Sequence, residues 1–278
     1  MVTKFLKMQG TGNDFVLIDC IEHEAMRSYE DSEFVSLARK VCDRRFGIGA
    51  DQVLLLFPSE RADFMMRIFN ADGSEVEMCG NGIRCLATYI WDKGYSDKEI
   101  LDIDTQAGII RPRRNEGMVT VDMGAPILEA RDIPVNLDGP VVDYPLKIED
   151  REFKVSCVSM GNPHAVIIVD NVDDFPVSYY GPLIETHELF PNRINVEFIE
   201  IKGPKEIRMR VWERGSGETL ACGTGASAAA VASAVKKLTG RDVTVHLLGG
   251  DLFLKWGDND HVLMTGPAVT VFGGVIDL

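Results

Sequence analysis

The chain has 278 residues, long for one ordinary domain and well suited to two of about 100 to 150 residues each. Hydrophobic residues make up 45% and charged residues 26%, proportions that exclude a disordered or low-complexity chain. A net charge of -14 without any Lys/Arg-rich run argues against nucleic acid or an anionic membrane as partner.

Residues 1–10 lack the apolar core of a signal peptide, and no apolar run approaches the ~20 residues that span a bilayer. A cytoplasmic location is therefore expected. The six cysteines are too few and too scattered for a disulfide scaffold, and in a reducing compartment they stay thiols.

In chain order, an amphipathic helix is predicted over 31–43, opened by Asp or Ser as N-cap. Runs rich in β-branched residues predict strands at 52–56 and 64–69. A helix over 83–93 follows Cys79-Gly-Asn-Gly82 and stops at Gly94. Further strands are predicted at 155–159, 166–169 and 206–212. A second helix, 226–238, follows Cys222-Gly-Thr-Gly225 and stops before Gly240; its alanines suit close packing on a sheet. The apolar tail 268–278 reads as a strand returning to the first domain. The class is mixed α/β, mainly antiparallel.

The second half repeats the first. Met66-Arg-Ile-Phe-Asn70 resembles Met209-Arg-Val-Trp-Glu213 at a separation of 143 residues. The same offset pairs Glu75 with Glu218, Cys79-Gly-Asn-Gly82 with Cys222-Gly-Thr-Gly225, Ala87 with Ala230, and Gln52 with Asn195. Thr11-Gly-Asn13 and Met160-Gly-Asn162 correspond at an offset of 149. A period near half the chain predicts two similar domains rather than a solenoid. Their expected bounds are 1–122 with 268–278, and 123–267.

Both Cys-Gly-x-Gly motifs precede a predicted helix, where unpaired N–H groups and the helix dipole stabilise a thiolate. The glycines let the backbone approach an anion such as a carboxylate. Two such ends facing each other would hold one carboxylate with a sulfur on each face of its α-carbon. One thiolate would remove the α-proton while the opposite thiol returned a proton to the other face. Cysteine is among the most buried residue types, and Cys20, Cys42, Cys85 and Cys157 are read as core. Cys85 has Ala228 as its repeat partner, in keeping with a packing role.

Rival motifs are weaker. Residues 223–228 fit a GxGxxA nucleotide turn, but about ten residues separate the preceding strand from the first glycine. No CxxC, HExxH or GxSxG motif is present, which argues against structural zinc, a zinc protease and a serine hydrolase. A reversible Cys79–Cys222 disulfide acting as a thiol switch remains a non-enzymatic alternative.

The segments Gln9-Gly-Thr-Gly-Asn-Asp14, Gly49-Ala-Asp-Gln52, Phe69-Asn-Ala-Asp-Gly-Ser74, Met78-Cys-Gly-Asn-Gly-Ile-Arg-Cys85, Gly161-Asn-Pro-His164, Arg193-Ile-Asn195 and 213–225 together resemble the diaminopimelate epimerase family. The resemblance implies two pseudosymmetric domains, each a curved sheet or barrel around a central helix. It implies conversion of LL-diaminopimelate to the meso isomer, on the route to lysine and peptidoglycan, without pyridoxal phosphate or metal. A homodimer is also implied. Carried over by motif, Cys79 and Cys222 are acid and base, and Gly80, Asn81, Gly223 and Thr224 hold the reacting carboxylate. Asn70 and Glu213 would receive the reacting ammonium group. Asn13, Asn162, Asn195 and Arg214 would hold the distal end, with Gln52 nearby and His164 orienting the site. The cysteine pair does not itself choose a side chain, so a proline or histidine racemase is the nearest enzymatic alternative.

Overall fold

The computed structural model describes residues 2–278. The chain divides into two compact units, Met1–Val121 with Gly266–Leu278, and Asp122–Thr265. In chain order the strands are β1 (Val2–Gly10), β2 (Asn13–Asp19), β3 (Gln52–Phe57), β4 (Phe64–Asn70), β5 (Glu75–Val76), β6 (Ile103–Thr105), β7 (Gly108–Ile110), β8 (Arg113–Asn115) and β9 (Met118–Asp122). They continue as β10 (Tyr144–Ile148), β11 (Arg151–Ser159), β12 (Pro163–Ile168), β13 (Asn195–Gly203), β14 (Glu206–Glu213) and β15 (Gly217–Thr219). Last come β16 (Asp242–Leu247), β17 (Gly250–Trp256), β18 (Val262–Gly266) and β19 (Val269–Asp277). The α-helices are α1 (Asp31–Cys42), α2 (Gly80–Asp92), α3 (Val177–Glu185) and α4 (Gly223–Val235).

The sheet of the first unit runs β19-β1-β2-β3-β4-β6-β7, with β5 beside β4. Most neighbours are antiparallel; β2 with β3 and β4 with β6 are parallel. The sheet stays open, with edges at β19 and β7, and does not close into the barrel that was the other expected form. β19 pairs antiparallel with β1 over almost its whole length.

Helices cover both faces at the sheet centre, which explains the unbroken apolar run of β3. Val53, Leu55 and Phe57 join Phe34, Leu37, Ala38 and Val41 of α1 in one core cluster. Leu54, on the opposite face, meets α2 at Gly82. The spacing of the four α1 residues is the i, i+3, i+4, i+7 stripe of an amphipathic helix. Its N-cap is Glu30 rather than the expected Asp or Ser. The Glu30 backbone N–H donates to Glu33 Oε2 at 2.8 Å, so the Glu33 carboxylate caps this end.

In the second unit the strand order is β10-β11-β12-β13-β14-β16-β17-β18, with β15 beside β14. Val196 and Phe198 of β13 join Val177 and Ile184 of α3 in the second core cluster. The alternate residue Glu197 points to the other face, towards α4. The small side chains of α4 bury it almost all round. α3 is not among the helices expected from sequence, and it carries Pro182 in its interior. Here Gly181 has no room for a side chain: a Cβ would come within 2.5 Å of the Trp212 ring.

The two main helices begin three residues earlier than expected, at Gly80 and Gly223 rather than at 83 and 226. Glycines disfavour helix in isolation, but burial of the first turn overrides propensity here. At the far end of α4 the left-handed residue is Lys237, φ 59°, not Gly240; for α2 it is Gly94, φ 74°.

Candidate active site

Cys79 is the N-cap of α2, with extended backbone angles φ -137° and ψ 115°. Its Sγ accepts the backbone N–H of Gly82 at 3.4 Å. Cys222 is the N-cap of α4 with nearly the same angles, φ -129° and ψ 115°, and accepts from Gly225 at 3.4 Å. A sulfur therefore occupies the position that a Ser or Asp oxygen takes in an ordinary helix cap. Each thiol is aimed along the dipole at unpaired N–H groups, the setting that favours a thiolate.

Around Cys79, the thiol donates to Asn13 Oδ1 at 3.8 Å, and Asn13 Nδ2 donates to Asp51 Oδ2 at 2.9 Å. Asp51 and Asp14 share Arg44, whose guanidinium lies 2.8 Å from each carboxylate. Gln52 Nε2 donates to Asn70 Oδ1 at 2.8 Å, and Asn70 donates in turn to Ser74 Oγ at 2.9 Å. Gln52 Oε1 is buried without a hydrogen-bond partner among the described residues. Gly80 and Asn81 form the buried first turn of α2, and Asn81 Oδ1 accepts from Arg84 at 2.9 Å.

Around Cys222, Thr224 Oγ1 lies 3.4 Å from the sulfur, and Gly223 is buried at the helix start. Burial first, then the charges of Glu213 and Glu197, push the Cys222 thiol well above its ordinary value, against the hydrogen bonds from Thr224 and Gly225. Glu213 Oε1 accepts from Thr219 Oγ1 at 2.5 Å. Asn195 bridges two segments: its Nδ2 donates to the Pro163 carbonyl at 2.8 Å, and its Oδ1 accepts the Arg214 backbone N–H at 2.9 Å. The Arg214 guanidinium donates to the Asn192 carbonyl at 3.2 Å. His164 is fully buried, with Nδ1 2.7 Å from Glu197 Oε1 and Nε2 2.9 Å from Asn162 Oδ1.

The expected residues thus gather into two sets, one in each unit. Asn13, Gln52, Asn70, Gly80 and Asn81 belong with Cys79. Asn162, His164, Asn195, Glu213, Arg214, Gly223 and Thr224 belong with Cys222. Two fully buried charged residues beside these sets, Glu197 and Arg84, are absent from the sequence expectations. Glu197 lies in β13, which is not among the predicted strands, and Arg84 in the second turn of α2. The repeat register carries the signal for both, since it pairs them with Leu54 and Ser227.

The remaining cysteines are core residues. Burial pushes Cys20, Cys42, Cys85 and Cys157 up to about 12. Among the described residues no group of three His, Cys, Asp or Glu side chains is arranged to hold a metal ion. Among them, too, no helix is long and apolar enough to cross a membrane.

The sequence model of the diaminopimelate epimerase family matches residues 5–129 and 156–271. A diaminopimelate epimerase of Acetivibrio thermocellus is 52% identical over 282 residues, covering 99% of both chains. Another, of Moorella thermoacetica, is 54% identical over 278 residues, covering 97% of this chain and 98% of the relative. Among solved structures, a PhzF-family phenazine biosynthesis protein of Bacillus anthracis matches the whole of both chains with a TM-score of 0.74 at 18% identity. A hydroxyproline epimerase from Agrobacterium vitis matches 100% of this chain and 93% of its own with a TM-score of 0.69 at 15% identity. These distant likenesses establish the fold alone. Full-length identity above half and a family match spanning both cysteine motifs lead to one assignment: the chain belongs to the diaminopimelate epimerase family.

Proposed function

We propose that the protein is a pyridoxal-independent isomerase that interconverts LL- and meso-diaminopimelate, with Cys79 and Cys222 as the two proton-transfer groups. The observation that carries this reading is the repeated N-cap: two thiols, each accepting from the last glycine of its own Cys-Gly-x-Gly turn at 3.4 Å. Inversion requires both sulfurs to reach one carbon, one from each face. A thiolate takes the α-proton, and the carbanion formed is stabilised through its carboxylate by N–H groups of Gly80, Asn81, Gly223 and Thr224. The other thiol then delivers its proton to the opposite face.

Asn70 and Glu213 supply acceptor oxygens suited to the reacting ammonium group. Arg214 can grip a distal carboxylate with its fork of donors. Asn13, Gln52, Asn162 and Asn195 complete the recognition of the distal end, and His164 orients Asn162. In this reading residues 1–122 with 268–278 form the domain that contributes Cys79, and residues 123–267 the domain that contributes Cys222. We place the enzyme in the cytoplasm, in the synthesis of lysine and peptidoglycan precursors. We further propose a homodimer, supported by the apolar side chains exposed along edge strand β19, among them Phe272 at 49% and Val275 at 65%.

Substrate choice is tested by incubating the protein with LL-diaminopimelate, proline or histidine in deuterated water. Deuterium at the α-carbon of diaminopimelate alone is expected. Exchange confined to proline or histidine would overturn the substrate assignment and leave a two-cysteine racemase.

A further inference from the structure

The two helix starts match in backbone but not in buried charge. Under Gly82 lies Leu54, whose Cδ2 would be 3.0 Å from a Cβ built on that glycine. Under Gly225 the repeat places Glu197: a Cβ there would sit 2.6 Å from Glu197 Oε1 and 3.3 Å from Cys222 Sγ. Glu197 is fully buried, bonded to His164 through Oε1, and its Oε2 has no hydrogen-bond partner among the described residues. A carboxylate in that place costs desolvation free energy that the leucine of the other half avoids. The fold therefore does not require the acid.

The first unit carries the opposite charge. Arg84 is fully buried on the first turns of α2, donating to Asn81 Oδ1 at 2.9 Å, Thr11 Oγ1 at 3.2 Å and the Gly80 carbonyl at 3.3 Å. Its repeat partner is neutral: Ser227 donates to the Gly223 carbonyl at 2.9 Å.

We propose that Arg84 and Glu197 are positioning residues of opposite sign that break the symmetry of the cysteine pair, Arg84 favouring the thiolate at Cys79 and Glu197 the thiol at Cys222. This deepens, and rests on, the two-cysteine reading above. A buried cation beside a thiol stabilises its charged form, and a buried anion destabilises it. Facing Cys222 are Glu197 of β13 with His164 of β12, Glu213 of β14, and the Thr224 and Gly225 donors of α4; Cys157 of β11 lies in the field of the same Glu197. Arg84 and Cys85 of α2 lie in the field of Cys79, and its thiol donates to Asn13 of β2, behind which Asp51 is paired with Arg44. The charges of Arg84 and Cys79 favour each other, whereas Glu213 and Glu197 act against charge on Cys222.

The resting protein then holds one base and one acid. In a turnover the α C–H bond breaks towards Cys79, which becomes a thiol, while Cys222 gives up its S–H proton and becomes the thiolate. The proton pattern ends reversed against the buried charges, and exchange with solvent restores it.

The test is alkylation by iodoacetamide across pH, followed by mass spectrometry of each cysteine peptide. In the wild type the Cys79 midpoint should lie below that of Cys222 by about one pH unit or more. Glu197→Gln, close in shape, should lower the Cys222 midpoint by about one unit and leave Cys79 in place. Arg84→Met should raise the Cys79 midpoint. Thermal melts establish that each variant folds; should Arg84→Met not fold, the wild type and Glu197→Gln decide. Coincident midpoints in the wild type, or an unmoved Cys222 midpoint in folded Glu197→Gln, would overturn the proposal. Full epimerase activity in Cys79→Ser and Cys222→Ser would instead overturn the two-cysteine reading while leaving the midpoints as measured.

Discussion

The backbone N–H of Gly225 donates to Cys222 Sγ at 3.4 Å, and Gly225 can do so only because it has no side chain. An added Cβ would press on Glu197 Oε1 at 2.6 Å, and that carboxylate is buried and tied to His164. At the equivalent Gly82 the obstacle is the end of Leu54 at 3.0 Å, a branched apolar group that can turn aside. Gly225→Ala should therefore lower kcat/KM on the order of 10²-fold, because the sulfur is displaced from its cap. Gly82→Ala should cost about tenfold or less, and steady-state kinetics of the two variants checks the ordering.

The four core thiols should resist labelling. Cys20, Cys42, Cys85 and Cys157 are buried and held largely protonated, with values of about 12. A thiol reagent at neutral pH should modify Cys79 first, since it alone among the six is only half-buried. The core four should react only after denaturant is added. Rapid loss of all six in the folded protein would show that these cores open.

Acid should weaken the first unit through Asp14. Burial opposes its ionisation, but hydrogen bonds from Arg44 and Lys7 and the Asp51 backbone N–H outweigh it and lower its value below the ordinary carboxylate range. The folded state thus binds the proton less readily than the unfolded chain. The stabilisation is complete above the unfolded value of about 3.9 and is lost as pH falls through the lower folded value. Asp14→Asn should cost about 1 to 2 kcal/mol at neutral pH, allowing for solvent screening of a partly exposed group. The gap to the wild type should shrink below about pH 4, as read by urea denaturation at the two pH values.

The edge strand β19 offers a test of assembly. Val271 and Val275 are 55% and 65% exposed on a strand with one unpaired side. Lysine at such an edge blocks pairing with another chain. Val271→Lys with Val275→Lys should turn a dimer into a monomer in light scattering, without loss of the far-ultraviolet signal of the fold.

Much of this architecture is written in the repeat. The 143-residue register places both cysteines, both glycine turns and both helices at equivalent backbone positions, and β3 and β4 stand where their β-branched runs indicate. What escaped depends on contacts between distant segments. Gly80-Asn81-Gly82 reads as loop, yet burial makes it helix. α3 contains Gly181 and Pro182, both poor helix formers, yet Trp212 fills the space in front of Gly181. Glu197 lies in β13, a strand outside the predicted set, and its burial depends on α4 lying against that face. The oxygens and N–H groups around each sulfur are likewise drawn from several elements, so spacing along the chain names the residues without showing which of them touch.

The central claim is that Cys79 and Cys222 together invert the α-carbon. It is tested most directly by following LL-diaminopimelate in deuterated water with the wild type, Cys79→Ser and Cys222→Ser, all shown to be folded. The wild type should form meso product carrying deuterium at the inverted carbon, and each variant should lose turnover by about 10²-fold or more. Wild-type turnover in both variants would contradict the account.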